Sequence, residues 1–589
     1  TQPATDIPLT DLAARIDDED AGRVGARNER RVETTMGRIH HFLLPAAGWG
    51  ATADSKEAKE LAPDRVAKVK EWRKQFKTKP TAKQLDVLVD IAAQAEELWT
   101  MALRRLMVAD AESRRDIPLW GRTSAELVEA TSDRVETKVT REQIEASLAD
   151  PNGAYRRLKL VMDAWCALWF WPLTGDAVTP PSWTDWIDAC QQILGVQPKL
   201  RYDKKRWATD QALAPTDLWE SLAEQESFAL SSANAKPIAE VVECHPWLRV
   251  CQQVADDQGF FHWPLEFAPV FGRGGFDFQV GNPPWVRPRG DAPALLAEGD
   301  PWWQLTEKPS VTAAKIHRAV ALAVPGIPDL VVTGDTDTTG LAAFVGDATN
   351  YPHLAGLQPD LYRCFMTSTW RNSSESGVVG LLHPETHFTD EKAGVLRSTA
   401  YERLRRHWQF VNQLKKMLFT EVDNHVSYGV NVYGRPADPD FLHAAGLYHP
   451  DTAAGSLRHA GIGPTPGVKN EGSWDLRPHA QRIQRVTEET LTMWRDLLAP
   501  ELNSVRQTPM LYTVNRDVAD ALMTLTNAPR LGSLQMKFSR GWDESIDRAG
   551  GYFVQQWGPN ETWDEVILQG PHLFVSTPLN KQPRKSMRS

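Results

Sequence analysis

The sequence predicts an α/β protein: a sheet region of alternating strands and helices, preceded by a large helical region and followed by a mixed α+β one. Three observations predict it. Residues 1–258 carry apolar side chains at helical spacing. From about 260 the texture changes to short apolar runs separated by loops. Those runs then follow the order strand, loop, helix, strand, which is the signature of an α/β sheet. The expected regions are 1–258 (mainly helical), 259–440 (the sheet) and 441–589 (strands, turns and helices with no single pattern).

The clearest helix is "KQLDVLVDIAAQAEELWTMALRRLMVADAESRR". Its Leu85, Leu88, Ala92, Ala95, Trp99, Ala102 and Leu106 recur at steps of three and four, an amphipathic stripe for packing on a neighbour. "DPNGAYRRLKLVMDAWCALWFWPL" gives a second helix, opened by turn chemistry at Asp150–Gly153 and closed by Pro172. Its Trp165, Trp169, Phe170 and Trp171 read as core. "PSWTDWIDACQQILG" adds a short capped helix ending at Gly195.

In the sheet region, "FHWPLEFAPVF" (261–271) is aromatic and broken by prolines. "FDFQVGNPPWVRP" (276–288) alternates Phe276, Phe278 and Val280 on one face and reads as a strand ending at Gly281. Pro283 and Pro284 have no N–H to donate, so they stop the strand and stiffen the loop after it. That loop lies at a strand's C-terminal edge, where open α/β sheets bind ligands. Residues 287–358, rich in Gly, Pro, Asp and Thr, read as a long irregular insertion. Residues 358–370 follow as a helix, 376–388 as a buried strand and 425–434, with Val426, Tyr428, Val430 and Val432 alternating, as another strand.

At 589 residues the chain exceeds one core and implies two to four domains. Hydrophobic content of 42% and charged content of 24% are ordinary for a globular protein. The densest apolar run, "AWCALWFWPL" (164–173), is half the length of about 20 residues that a membrane span needs, and "TQPATDIPLT" is no signal peptide, so no membrane is expected. Five cysteines at irregular spacing fit a reducing cytoplasm, and Cys244-His245 with Cys251 matches no zinc pattern, so no metal is expected. The net charge of −10 does not decide against nucleic acid, since a local basic stripe suffices. The chain opens on Thr1 rather than Met and is expected to be part of a longer protein.

The Asn-Pro-Pro-Trp loop suits one chemistry. An exocyclic amine on a planar base is a poor nucleophile, because its lone pair is delocalised into the ring. Accepting both amine hydrogens draws the nitrogen toward tetrahedral geometry and frees the lone pair. An Asn side-chain oxygen is one acceptor, and a backbone carbonyl in a proline-stiffened loop is a second, preorganised one. A following aromatic gives the base a face to stack on, once it has been flipped out of a duplex.

"FDFQVGNPPWVRP" resembles the catalytic motif of amino-group methyltransferases that act on adenine in DNA. The likeness extends to the segments 261–271 and 358–388 of large restriction–modification and phage-defence methyltransferases, covering about residues 150–440. It implies part of a Rossmann-like class I methyltransferase sheet, with S-adenosylmethionine as methyl donor. It also implies that Asn282 accepts one N6 hydrogen, the Pro283 carbonyl accepts the other, Pro284 fixes the turn and Trp285 stacks on adenine. Asp277 and Gly281 match the usual run-in. The partners implied are double-stranded DNA and other defence-system subunits. One departure stands out. The family holds its cofactor on an Asp/Asn-Pro-x-x-Gly-x-Gly loop and a later acidic residue, and neither is evident. "LLPAAGWGAT" (43–52) keeps the glycines but has Leu44 for the acid and Trp49 for a small residue, so both cofactor motifs are expected upstream of Thr1.

Arg287 and Arg289 follow the loop and are candidates to neutralise phosphates beside a flipped nucleotide. Further basic stretches lie at 201–207, 402–410 and 581–589. Residues beyond 440, with "SRGWDESIDRAGGYF" and "VILQGPHLFVSTP", resemble the start of a target-recognition domain. Two alternatives stay open: a protein-glutamine or RNA-base amino methyltransferase, and a DNA-recognition module with no activity. "PDLVV" (328–332) is followed by no Glu-x-Lys, so no nuclease is expected.

Overall fold

The computed structural model describes residues 39–113, 139–196, 215–413, 418–529 and 544–552, apart from Lys79, Ala177 and Glu421, together with Leu534 and Lys537. The chain divides into two units, 1–526 and 527–589. In the second, the described residues form one short helix, Glu544–Ala549. "VILQGPHLFVSTP", 201–207 and 581–589 lie outside the described residues.

Helices dominate the first unit up to residue 271. The periodic stripe forms one long helix, Ala82–Ser113, which buries Leu85, Leu88, Ala92, Ala95 and Ala102 in the same core as the helices Ala154–Ala167 and Trp183–Leu194. Ser182 and Asp185 form a capping box at the start of the last of these, and Gly195 ends it, as expected, at φ +84°, a conformation that favours glycine. Trp165, Trp169, Phe170 and Trp171 are all buried, as expected.

The glycine-containing segment 43–52 belongs to this helical core, and among the described residues no strand precedes it. Trp186 Nε1 donates to the Leu43 carbonyl (2.8 Å), Trp165 Nε1 to the Leu44 carbonyl (2.7 Å) and Trp49 Nε1 to the Trp165 carbonyl (3.0 Å). Each bond satisfies an indole that would otherwise be buried without a partner. A Cβ at Gly48 would fall 2.0 Å from the Trp169 ring. Its glycine therefore makes room for an indole.

Between the helical core and most of the sheet, residues 292–346 correct the expectation of an irregular insertion. They form helices Ala292–Ala297, Trp302–Leu305, Val311–Leu322 and Ile327–Gly346. The last contains Thr, Asp and Gly, which propensity disfavours in helices. Packing decides instead. Val332 joins the helical core, and Gly334 and Gly340 sit so close to Leu295 and Phe170 that added Cβ atoms would come within 2.7 and 2.8 Å of them. Segment 261–271 folds as two short helical turns, Trp263–Glu266 and Ala268–Phe271. Among the described residues no single helix is long and apolar enough to cross a membrane.

The sheet is mixed and six-stranded: β1 (Phe276–Gly281), β2 (Ser373–Pro384), β3 (Leu404–Val411), β4 (Ser427–Tyr433), β5 (Asp440–Leu447) and β8 (Gln484–Thr487). A two-stranded ribbon, β6 (Lys469–Asn470) and β7 (Ser473–Trp474), stands apart from it. The order is β1-β2-β4-β3-β5-β8, with β1 parallel to β2, β3 parallel to β5, and β4 and β8 antiparallel to their neighbours. The expected boundary at 440/441 falls inside β5, so the sheet continues into the C-terminal region. Apolar clusters cover both faces. Val379, Leu381, Tyr433 and Phe441 lie in one, and Phe410, Tyr428 and Ala444 in the other. β1 ends the strand order, and its Phe278 and Val280 are 68% and 71% exposed.

The packing around Gly48 yields a prediction. Gly48→Ala forces a methyl group into the Trp169 ring and should cost about 1–3 kcal/mol, the usual penalty for overpacking. Urea denaturation followed by tryptophan fluorescence should show a lower midpoint at unchanged slope.

Candidate active site

The loop after β1 is placed by what it touches. β1 pairs in parallel with β2 from Phe278↔Val378 to Gly281↔Leu381, so both strands end on the same side of the sheet. Asn282 is exposed, Pro283 buried, Pro284 exposed and Trp285 half-buried. The Trp285 ring leans on Tyr428 (centroids 5.9 Å apart) and Phe419 (6.3 Å), and its Nε1 donates to the Leu382 carbonyl at 3.4 Å. The Val286 carbonyl accepts from Leu361 N (3.0 Å), tying the loop to the start of the helix Leu361–Asn372.

A cleft of about 460 Å³ opens beside this loop, within the size range of ligand sites. It is lined by Trp285, Val286, Arg287 and Arg289 from the loop, by Asp360 and Tyr362 at the start of the Leu361 helix, and by Pro384 and Thr386. The last pair comes from the C-terminal end of β2 and the turn after it. Of the residues expected to grip a base, Trp285 is in the wall of the cleft, while Asn282, Pro283 and Pro284 precede it in the loop. The Asn282 side chain makes no hydrogen bond among the described residues.

Arg287 and Arg289 differ. Arg287 donates to both carboxylate oxygens of Asp360 and, from Nη1, to Gln358 Oε1 (2.6 Å). Asp360 holds the N-cap position of the Leu361 helix, yet its carboxylate caps nothing because the guanidinium takes it. That hydrogen bond raises the pKa of Arg287 further. Arg289 is exposed and forms no ion pair among the described residues. In the basic stretch at 402–410, Arg403 lies over the Trp370 ring (5.2 Å) and Arg405 donates to the carbonyls of Glu402, Leu404 and Arg435.

Behind the cleft is a buried polar network. Tyr362 Oη shares a hydrogen bond with Thr386 Oγ1 (2.9 Å), which also accepts from Arg363 Nη2 (3.2 Å). His383 Nδ1 donates to the Pro384 carbonyl (2.9 Å), and its Nε2 accepts from Tyr433 Oη (2.9 Å) and Asn431 Nδ2 (3.1 Å). That arrangement needs a neutral ring. Burial lowers the pKa of His383 to about 4 and those of His387 and His443 well below the ordinary value, and it raises those of Tyr433 and Tyr512. Asp360, Tyr362, Pro384 and Thr386 were not singled out from the sequence. The available signal was the turn "HPETHF" at a strand's C-terminal end, the same kind of position as the Asn-Pro-Pro-Trp loop.

No family model matches the chain, and no curated protein matches it. Among solved structures, one similar chain comes from a type I restriction–modification system studied for its complex assembly and conformational transition. It has 10% identity and a TM-score of 0.20, with 84% of this chain and 94% of that one covered. A second is a modification subunit of a putative type I restriction enzyme from Vibrio vulnificus YJ016, at 10% identity and TM-score 0.18, with 73% and 93% covered. At these scores neither likeness carries an argument about fold or activity.

The buried histidines predict a pH dependence. His383 is protonated in the unfolded chain below about pH 6.5 and in the folded one only near 4, so the unfolded state binds more protons between those values. Stability should therefore fall as pH drops through that window, by about 3 kcal/mol from His383 alone. His387 and His443 deepen the loss. Melting temperature measured from pH 8 to 4.5 should be level above about 7 and decline below it. His383→Gln should flatten the decline.

Proposed function

We propose that this chain is an adenine-N6 DNA methyltransferase of a restriction–modification or phage-defence system, built on a class I, Rossmann-like sheet. One observation carries the reading. The Asn-Pro-Pro-Trp loop leaves the C-terminal end of a parallel strand and borders a cleft that the end of the neighbouring parallel strand also lines, where α/β sheets bind ligands. A flipped adenine would stack on Trp285. Asn282, with an uncommitted side-chain oxygen, would accept one amine hydrogen and the Pro283 carbonyl the other, leaving the N6 lone pair directed outward. Arg289 is the arginine free to meet a phosphate, while Arg287 serves as wall.

S-adenosylmethionine, the donor that the resemblance implies, supplies the methyl group when bound. The segment 43–52 does not fit as its cradle, because Gly48 is closed over by Trp169 and the segment is held by three indole hydrogen bonds. This misfit favours the second reading, a DNA-recognition module that does not itself transfer a methyl group.

The test is methyl transfer from labelled S-adenosylmethionine into duplex DNA by the full chain, with N6-methyladenine quantified by mass spectrometry. Asn282→Ala should lower the rate about a hundredfold or more, as loss of a preorganised polar group does, with DNA binding unchanged. No product from the unaltered chain, alongside salt-sensitive DNA binding, would select the module. Separately, Arg289→Ala should lower the slope of log affinity against log salt by about one, and Arg287→Ala by less.

A further inference from the structure

The buried polar network contains a carboxylate that the proposed chemistry does not use. Glu385 is the first residue beyond β2, and both of its neighbours, Pro384 and Thr386, line the cleft. Its side chain turns inward. Oε2 accepts from His407 Nε2 (2.6 Å) on β3 and from Tyr512 Oη (2.8 Å). The Nδ1 atoms of His407 and of His443, on β5, lie 2.8 Å apart, one donating to the other. Asn431, His407 and His443 are opposite one another across β4, β3 and β5 and so share one face of the sheet.

The route of this side chain is informative. β4 lies between β2 and β3, so Glu385 must cross it to reach His407. It crosses at Gly429, where an added Cβ would stand 2.0 Å from Glu385 Oε1. The far partner is also anchored. Met510 N donates to the Phe388 carbonyl (3.0 Å) and Tyr401 Oη to the Thr508 carbonyl (2.9 Å), which fixes the segment carrying Tyr512. Glu385 is buried, and a buried carboxylate is weak evidence for stability, since apolar residues of similar volume often serve as well. What the network does determine is where Pro384, Glu385 and Thr386 stand.

We propose that Glu385 is a positioning residue: its carboxylate, carried over Gly429 to His407 and Tyr512, fixes the Pro384–Thr386 wall against which a flipped base is held. The wall follows from the geometry, and the base rests on the reading given under Proposed function.

Glu385→Gln, Gly429→Ala and Tyr512→Phe test it in the full chain. Glutamine keeps an oxygen that can accept from both His407 and Tyr512, since the two bonds converge on Oε2. Alanine at 429 displaces the carboxylate without removing any polar group. Phenylalanine removes one donor and keeps the ring. Two readouts are needed: hydrogen–deuterium exchange over 383–388, with 85–102 as internal control, and equilibrium dialysis of adenosine 5′-monophosphate as the base probe. Gly429→Ala and Tyr512→Phe should speed exchange over 383–388 and weaken nucleotide binding about tenfold, a loss on the scale of one buried hydrogen bond. Glu385→Gln should match the unaltered chain in both. Unchanged exchange over 383–388 in Gly429→Ala and Tyr512→Phe overturns the proposal, as does faster exchange with unchanged nucleotide binding. Should Gly429→Ala fail to fold, Tyr512→Phe decides alone. If the unaltered chain binds no nucleotide while exchange responds as expected, the base reading fails and Glu385 still positions the wall.

Discussion

Everything at the candidate site depends on the parallel ladder between β1 and β2. An antiparallel pair would send the two loops to opposite ends of the sheet. The parallel pair brings the Asn-Pro-Pro-Trp loop and the Pro384–Thr386 turn out side by side, and the cleft is the space between them. Gly275, at φ +117°, lets the chain enter β1 at close quarters, since a Cβ there would lie 2.6 Å from the Asn372 carbonyl at the end of the Leu361 helix. Contacts beyond the ladder then fix the exit: Trp285 on Leu382, Val286 on Leu361 and Arg287 on Asp360.

The two sides of the cleft are held by different physics. On the β1 side, proline rigidity and an aromatic ring against Tyr428 set the loop, and one half-buried charge pair ties it down. On the β2 side the wall rests on hydrogen bonds made in the interior, where competing water is absent and each bond is stronger for it. The first side can yield to a large ligand at modest cost. The second cannot move without breaking the bonds from His407 and Tyr512 to Glu385.

Local chemistry was legible in the sequence, and tertiary geometry was not. The stripe of Leu85 to Leu106, the capped helix ending at Gly195 and the strand ending at Gly281 follow from spacing and residue type, and each stands where it was expected. The helix Ile327–Gly346 was missed because its Gly and Thr residues carry a packing reason that only the neighbours Leu295 and Phe170 reveal. The glycines of segment 43–52 say little on their own, because a glycine that admits an indole looks the same in sequence as one that admits a cofactor. For the site, Trp285 was found because Asn-Pro-Pro-Trp has a chemistry of its own. Asp360 and Thr386 have none until the fold brings them to it. Arg287 looked available for a ligand because its partner Asp360 is distant in the chain.

Gly429 has a consequence for how this sequence can vary. A side chain at that position is compatible with the fold only if residue 385 no longer reaches across β4, and residue 385 can be shortened only if His407 and Tyr512 find other partners. Four positions far apart in the sequence therefore form one heritable unit, in which single exchanges are penalised and coordinated ones tolerated. In any set of related chains, glycine at 429 and a carboxylate or amide at 385 should be gained and lost together.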